Sequence, residues 1–360
     1  MTSLTLEELR DLIDTVDQQL LELISTRANY AQQVAVVKTA AGDSNFYRPE
    51  REAQVLRGIM ERNPGPLDNE EVARLFREIM SACLALEKPI SVAYLGPEGT
   101  FTQEAVLKHF GHSARTVPMA AIDEVFREVT AGAVTYGVVP VENSSEGVVN
   151  HTLDSFIDSS LKICGEVELR IHQNFLIGPN TDPNKISRVY SHPQSLAQCR
   201  KWLDAHYPKI ERVPVSSNAE AAKMVRGEWS SAAIAGDMAV QLYGLTKLKE
   251  RIEDRPDNAT RFLVIGRDLV PASGDDKTSV IVAVKNEPGA LYSLLEPLRT
   301  YGVDMTRLET RPATSGKWTY LFFIDFKGHY QDDHIVAALE ALKPRVSDLK
   351  LLGSYPRAVL

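Results

Sequence analysis

Two cations sit where an apolar stripe should run. Leu6, Leu9, Ile13, Val16, Leu20, Leu23, Ala31, Val34 and Val37 recur at helical spacing; Arg27 and Lys38 fall in the middle of that stripe and Arg10 at its edge. An unpaired buried cation is costly, so something anionic must neutralise these side chains. The chain's own carboxylates are one answer, since Glu87 follows Cys83 by four residues and Glu52 follows Arg51. A small polyanion held inside a helical bundle is the other, and the residues alone leave both open. Farther along, Thr100 with Gln103, Ser191 with Gln194 and Ser217 with Glu220 each form a capping-box signature. If those helices start on one edge of a sheet, their free N–H groups converge on one crevice suited to carboxylates. Taken singly, each is equally a plain cap.

Three segments of different grammar must position these groups. Residues 1–90 read as helices: one of about 35 residues carrying the stripe, a break at Asp43-Ser44-Asn45, a second from Pro49 to about Arg62, and a stop at Asn63-Pro64-Gly65-Pro66. A third carries Val72, Leu75, Phe76, Ile79, Met80, Cys83 and Leu86 at core spacing. Two short helices cannot cover a stripe about 50 Å long, so self-association is expected. Residues 91–268 alternate helices with short apolar strands at 92–95, 137–141, 171–177, 188–190, 212–215, 232–235 and 262–265, which predicts an α/β domain. Residues 270–276 read as a linker. From 278 to 360 the order is a strand (279–284), the turn Asn286-Glu287-Pro288-Gly289, a helix, strands at 303–309 and 318–326, a helix (332–342) and a strand (349–355). That order suits an α+β ferredoxin-like sandwich.

Composition narrows the function. Of 360 residues, 40 are Lys or Arg and 48 Asp or Glu, a net charge of −8 that argues against nucleic acid or an anionic membrane as partner. Cys83, Cys164 and Cys199 form no CxxC pair, which fits a reducing compartment. The first residues show no basic n-region or apolar h-region, and no run of 18 apolar residues occurs, so a soluble cytoplasmic protein is expected. His109, His112, His151, His172, His192 and His206 lack ligand spacing; neither a metal nor a cofactor is expected.

The placement of Arg10, Arg27, Lys38, Arg51 and Glu52 resembles the all-helical chorismate mutase family. The resemblance implies an all-α bundle built as an intertwined dimer, in which one chain's Arg10 completes its partner's site. Chorismate becomes prephenate by a concerted rearrangement that needs no nucleophile, only a reactive conformation and stabilisation of charge on the breaking ether oxygen. Arg10 and Arg27 would clamp the carboxylates, Lys38 would face the ether oxygen, and Glu52 would hold the ring hydroxyl. The family's late Ser and Gln read Cys83 and Glu87 here, and a position that can be acidic is Arg48. Glu87 could assist at the ether oxygen only when protonated.

Four further motifs, Gly96-Pro97-Glu98-Gly99-Thr100-Phe101, Val139-Pro140-Val141-Glu142-Asn143-Ser144, Ser191-His192-Pro193-Gln194 with Gln198, and Asn258-Ala259-Thr260-Arg261-Phe262, resemble prephenate dehydratases. This implies two α/β lobes, like periplasmic binding proteins, with the site between them. Thr260 would donate to the departing hydroxyl, Glu142 is a candidate proton source, and Arg261 could pair a substrate carboxylate, although neighbours on a strand point to opposite faces. Asn143, Ser191 and Gln198 would donate neutral hydrogen bonds.

At the C-terminal end, Gly289-Ala290-Leu291 and Glu309-Thr310-Arg311-Pro312 resemble the ACT domains of dehydratases, with Thr310 in place of Ser. From the residues alone these are a strand–helix turn and a hairpin loop; Gly289 also allows close backbone approach by a ligand. The resemblance implies phenylalanine bound between paired domains, inhibiting by a population shift. In chain order the three resemblances imply chorismate to prephenate to phenylpyruvate on one homodimeric or larger assembly. The rival readings are a non-catalytic aromatic-acid sensor and a dehydratase with an inactive mutase domain.

Overall fold

The structure, a computed structural model, describes residues 4–42, 46–285, 287–312 and 319–360. The break at Asp43-Ser44-Asn45, Asn286 of the turn and Trp318 of the strand lie outside them. Three helices open the chain: α1 (Leu6–Ala40), α2 (Pro49–Arg62) and α3 (Asn69–Glu87). Thr5 starts α1 by a reciprocal cap, its hydroxyl accepting from the Glu8 N–H while the Glu8 carboxylate accepts from the Thr5 N–H at 2.7 Å. No residue of α1 is buried. Its apolar stripe lies at the surface of the single chain.

A different face of α3 is buried from the one expected. Ala73, Arg77, Ser81 and Cys83 are covered, whereas Leu75, Phe76 and Leu86 are exposed. The covered face packs on the region that follows. Arg77 Nη1 donates to the Lys108 carbonyl at 2.8 Å, and Tyr47 enters a core with Val92, Tyr94 and Phe110.

That region has two sheets. Its elements are β1 (Ser91–Leu95), α4 (Phe101–Phe110), β2 (Arg115–Met119), α5 (Ile122–Ala131), β3 (Tyr136–Asn143), β4 (Gly147–Val148), α6 (Asn150–Asp158), β5 (Lys162–Arg170) and β6 (Asn174–Ile177). Then come β7 (Arg188–Ser191), α7 (Pro193–Gln198), α8 (Arg200–His206), β8 (Glu211–Pro214), α9 (Asn218–Val225), β9 (Ser231–Ala235), α10 (Asp237–Tyr243), β10 (Thr246–Lys249) and β11 (Ala259–Gly266). One sheet runs β2-β1-β3-β11-β5, with β4 on β3; the other runs β10-β6-β9-β7-β8. The chain leaves the first sheet after β5 and returns to it at β11, so two crossings join the lobes. The single strand expected over 171–177 is instead the end of one crossing, 171–173, followed by β6.

The C-terminal region holds β12 (Asp276–Lys285), α11 (Ala290–Thr300), β13 (Met305–Pro312), β14 (Thr319–Lys327), α12 (Asp333–Leu342) and β15 (Asp348–Pro356), with sheet order β13-β14-β12-β15. One face of this sheet packs on α11 and α12. The other shares a core with the first α/β sheet, where Ile281, Phe323, Leu352 and Tyr355 meet Val139, Val141, Leu263 and Ile265. Gly353 marks the closest approach, since a Cβ there would collide with the Ile163 backbone. The expected linker is pinned: the Ser273 hydroxyl donates to Asp276 at 2.7 Å, and Arg57 of α2 donates to the Asp275 carbonyl at 2.9 Å.

Candidate functional site

Arg27 and Lys38 stand about three turns apart on α1 and face the last turn of α3. There burial raises the Glu87 carboxyl above its ordinary pKa, against the opposing pull of Lys38 and Arg27. Glu87 Oε2 is buried and takes no hydrogen bond among the described residues. Lys38 Nζ donates to the Phe46 carbonyl at 3.1 Å and lies over that ring. Cys83 is buried one turn before Glu87. Arg10 is exposed near the start of α1, 17 residues or about 25 Å from Arg27 along the helix.

The start of α2 departs from expectation. Glu52 faces away from the α1 cations. Its carboxylate lies 3.3 Å from Arg77 Nε against the α/β region, and burial raises its pKa while Arg77 opposes. The cause is helical geometry: Glu52, Ala53 and Leu56 form the covered face of α2, while Arg51, one step round, is exposed. Arg48 is the N-cap residue of α2 and is half-buried.

The second constellation lines a cleft of about 240 Å³ between the two α/β lobes. Thr100 and Ser217 cap α4 and α9 here, each accepting from an N–H three residues on. The third cap is His192 rather than Ser191: its Nδ1 accepts from the Gln194 N–H at 3.3 Å, and burial lowers its pKa despite Glu146. Ser191 is fully buried behind the cleft, donating to the Ile234 carbonyl at 2.7 Å. The three helices begin at one crevice, which meets the condition under which the capping signatures would point free N–H groups at a carboxylate.

A chain of neutral groups crosses the cleft. Asn143 Nδ2 donates to the Thr260 hydroxyl at 2.8 Å, and Asn258 Nδ2 to Gln198 Oε1 at 3.1 Å. Gln173 Nε2 donates to the Ser195 hydroxyl at 3.0 Å and to Gln198 Oε1 at 3.2 Å, and Asn218 Nδ2 to the Ser195 hydroxyl at 2.8 Å. Gln173, Ser195 and Asn218 escaped sequence reasoning. Their only signals were a polar run, His172-Gln173-Asn174, breaking the expected strand over 171–177, for Gln173, and positions just inside helix starts, for the other two.

Glu142 and Arg261 are not in the cleft. They pair across β3 and β11 on the reverse face, next to the Asn143–Thr260 pair. Arg261 bonds Glu166 at 2.8 Å, Asp325 at 2.6 Å and the Tyr355 hydroxyl at 3.0 Å. Burial works to lower its pKa, but Tyr355, Asp325 and Glu166 outweigh it and hold the guanidinium firmly charged. Glu142 Oε2 lies 3.1 Å from Arg307 Nε. Strand alternation explains the placement, since consecutive residues point to opposite faces.

In the C-terminal region Gly289 has φ +84° and caps α11, with Ala290 and the exposed Leu291 opening the helix. Glu309, Thr310, Arg311 and Pro312 close the edge strand β13. Arg311 is engaged within the chain by a bidentate pair with Asp154 of α6, at 2.8 and 2.7 Å.

Among known proteins, the chorismate mutase type II family model matches residues 9–88 and the prephenate dehydratase model residues 92–269. The chain is 67% identical over 359 residues to a bifunctional chorismate mutase/prephenate dehydratase of Stutzerimonas stutzeri, covering 99% of this chain and 98% of that protein. It is 66% identical to the protein of the same description from Pseudomonas aeruginosa, with the same coverage. A solved prephenate dehydratase from Arthrobacter aurescens, in complex with L-Phe, aligns with a TM-score of 0.70 at 35% identity over 75% of this chain and 90% of that one. Both family models falling on one chain, with full-length relatives of both activities, decide the assignment: the chain belongs to the bifunctional chorismate mutase/prephenate dehydratases.

Proposed function

We propose that Thr260 is the hydrogen-bond donor at the departing hydroxyl when the interlobe cleft converts prephenate to phenylpyruvate. One observation carries this reading: Asn143 occupies an acceptor site of the Thr260 oxygen, leaving the hydroxyl proton to point at a ligand. The reaction expels the ring hydroxyl as water and the ring carboxylate as CO2, consuming one proton. The free N–H groups at the N-termini of α4 and α9 hold the pyruvyl carboxylate. Leu95, Phe101 and Ile171 give the leaving carboxylate a poorly hydrated wall, which favours its loss as neutral CO2.

The domains of this reading are 1–90, 91–268 and 278–360: an all-α mutase bundle, a dehydratase with periplasmic-binding-protein-like lobes, and a ferredoxin-like ACT domain. In the mutase, Arg27 and Lys38 bind chorismate beside Glu87, and a second copy supplies Arg10. Phenylalanine, the ligand of the Arthrobacter relative, is the feedback inhibitor, held by the main chain at Gly289 and by the Glu309–Pro312 strand end. The enzyme works in the cytoplasm.

The test gives purified full-length protein chorismate and follows its loss and phenylpyruvate formation, with and without phenylalanine. Thr260→Ala should consume chorismate at the wild-type rate while phenylpyruvate formation falls by about 10²–10³-fold and prephenate accumulates. Undiminished phenylpyruvate formation sinks the role of Thr260. Rates untouched by phenylalanine sink the regulatory reading.

A further inference from the structure

The Asn143–Thr260 bond in the cleft has a mirror on the back of the same sheet. One residue along each strand, Glu142 and Arg261 face the C-terminal sheet, and each is gripped by it: Glu142 by Arg307, Arg261 by Asp325 and the Tyr355 hydroxyl. The strand pairing explains why both point backwards. It steps from Arg261↔Glu142 to Phe262↔Pro140, so Val141 is the extra residue of a β-bulge. Bulges re-aim side chains, and this one brings Glu142 onto the face of Arg261. Two adjacent residues per strand therefore serve two regions, and neither pair can shift alone.

The grip is built rather than incidental. Asp325 also accepts from the Ser279 hydroxyl at 2.6 Å, and Glu166 holds both Arg261 and Lys277. Arg307 is buried to about nine-tenths, neither its Nε nor its Nη2 makes a hydrogen bond among the described residues, and its Nε lies 3.1 Å from Glu142 and 3.9 Å from Glu309 as ion pairs. Such a guanidinium is costly unless Glu142 stays beside it.

We propose that Glu142 and Arg261 are positioning residues of the dehydratase, which take their places from Arg307, Asp325 and Tyr355 of the C-terminal region and thereby hold Asn143 and Thr260 in register. The proposal rests on Thr260 acting at the departing hydroxyl. A lost grip lets the two strand ends relax, lengthening the bond that orients the Thr260 proton. Substrate still binds to the helix N-termini, so turnover falls and affinity does not.

The experiment measures dehydratase kcat and KM for prephenate without phenylalanine in Glu142→Gln, Arg307→Gln, their double variant, Arg307→Lys and Tyr355→Phe, with mutase rate and thermal midpoint from the same preparations. Each Gln variant should lower kcat by about five-fold, leave KM within about two-fold, and leave the mutase rate unchanged. The double variant should be no worse than either single one, and Arg307→Lys should recover part of the loss. Tyr355→Phe, which removes only one hydroxyl from Arg261, should lower kcat by about two-fold and decides the matter if the others fail to fold. Wild-type kcat throughout, multiplied losses in the double variant, or a lowered midpoint with unchanged kcat would each overturn the proposal. A harmless Thr260→Ala breaks the reading beneath it; a damaging Thr260→Ala with neutral Glu142 and Arg307 variants breaks this proposal alone.

Discussion

Glu87 faces two demands that only a proton reconciles. Beside Arg27 and Lys38 an ionised carboxylate would be welcome, yet burial has raised its pKa and left one oxygen without a partner. If Glu87 faces the ether oxygen of bound chorismate, its protonated form donates to the charge building there and an ionised form repels it. On that placement the neutral form is the active one, so mutase activity should decline as pH rises through the Glu87 pKa, which burial holds above its ordinary value. Glu87→Gln keeps a donor at every pH, so its pH–rate profile should be flat where the wild type falls. Superimposable profiles of the two proteins would remove the idea. At this scale the sequence was most informative where position along a helix sufficed, as for Arg27, Lys38 and Glu87. It failed for Glu142 and Arg261, because a tripeptide such as Thr260-Arg261-Phe262 does not say which face of its strand meets the cleft, and the bulge at Val141 is invisible without the partner strand.

Elements were legible by how plainly their apolar pattern showed. The long first helix and two of the three caps at the cleft, Thr100 and Ser217, came through because capping chemistry is local, while the third fell to His192, next to the expected Ser191. The strand β5 was missed, since Glu166 and Glu168 interrupt its apolar run; Glu166 is buried only because Arg261 and Lys277, both distant in sequence, neutralise it. The buried face of α3 was misjudged for a related reason, with Arg77 rather than Leu75 turned inward toward Glu52. Helix α4 carries a consequence of the same kind. Burial, with Asp237 of the other lobe adding to it and Lys108 opposing, pushes the Glu104 carboxyl up to about 7. The folded protein then prefers the neutral acid more than the unfolded chain does. The stability this confers is complete below the ordinary carboxyl pKa and lost as pH climbs through about 7. Glu104→Gln is neutral at all pH, so it should match the wild type near pH ~4.5 and exceed it by about 1–3 kcal/mol near pH ~8. Thermal midpoints of the two proteins across that range check this, and parallel curves would show that Glu104 ionises freely.

The whole molecule poses the question of what covers α1. Leu9 is 44% exposed, Leu20 50% and Leu23 66%, along a helix with no buried residue in the single chain. Each such leucine contributes about 1.5–3 kcal/mol when buried, so a second copy laid along the stripe has ample driving force. The same geometry separates Arg10 from Arg27 by about 25 Å, farther than one substrate can bridge, whereas an antiparallel partner brings its own Arg10 back to Arg27. If each mutase site draws Arg27 from one chain and Arg10 from the other, two crippled proteins can repair each other. Arg10→Ala and Arg27→Ala homodimers should both be inactive as mutases, because every site lacks one arginine. After the two are mixed, dissociated and reassociated at random, half the dimers are hybrids. In each hybrid one site has lost both arginines and the other has kept both, so the mixture should regain about a quarter of wild-type mutase activity, while dehydratase activity stays constant. A site built within one chain gives no recovery at all on mixing, and that result would overturn the shared site; an Arg10→Ala homodimer with full mutase activity would put Arg10 outside the site.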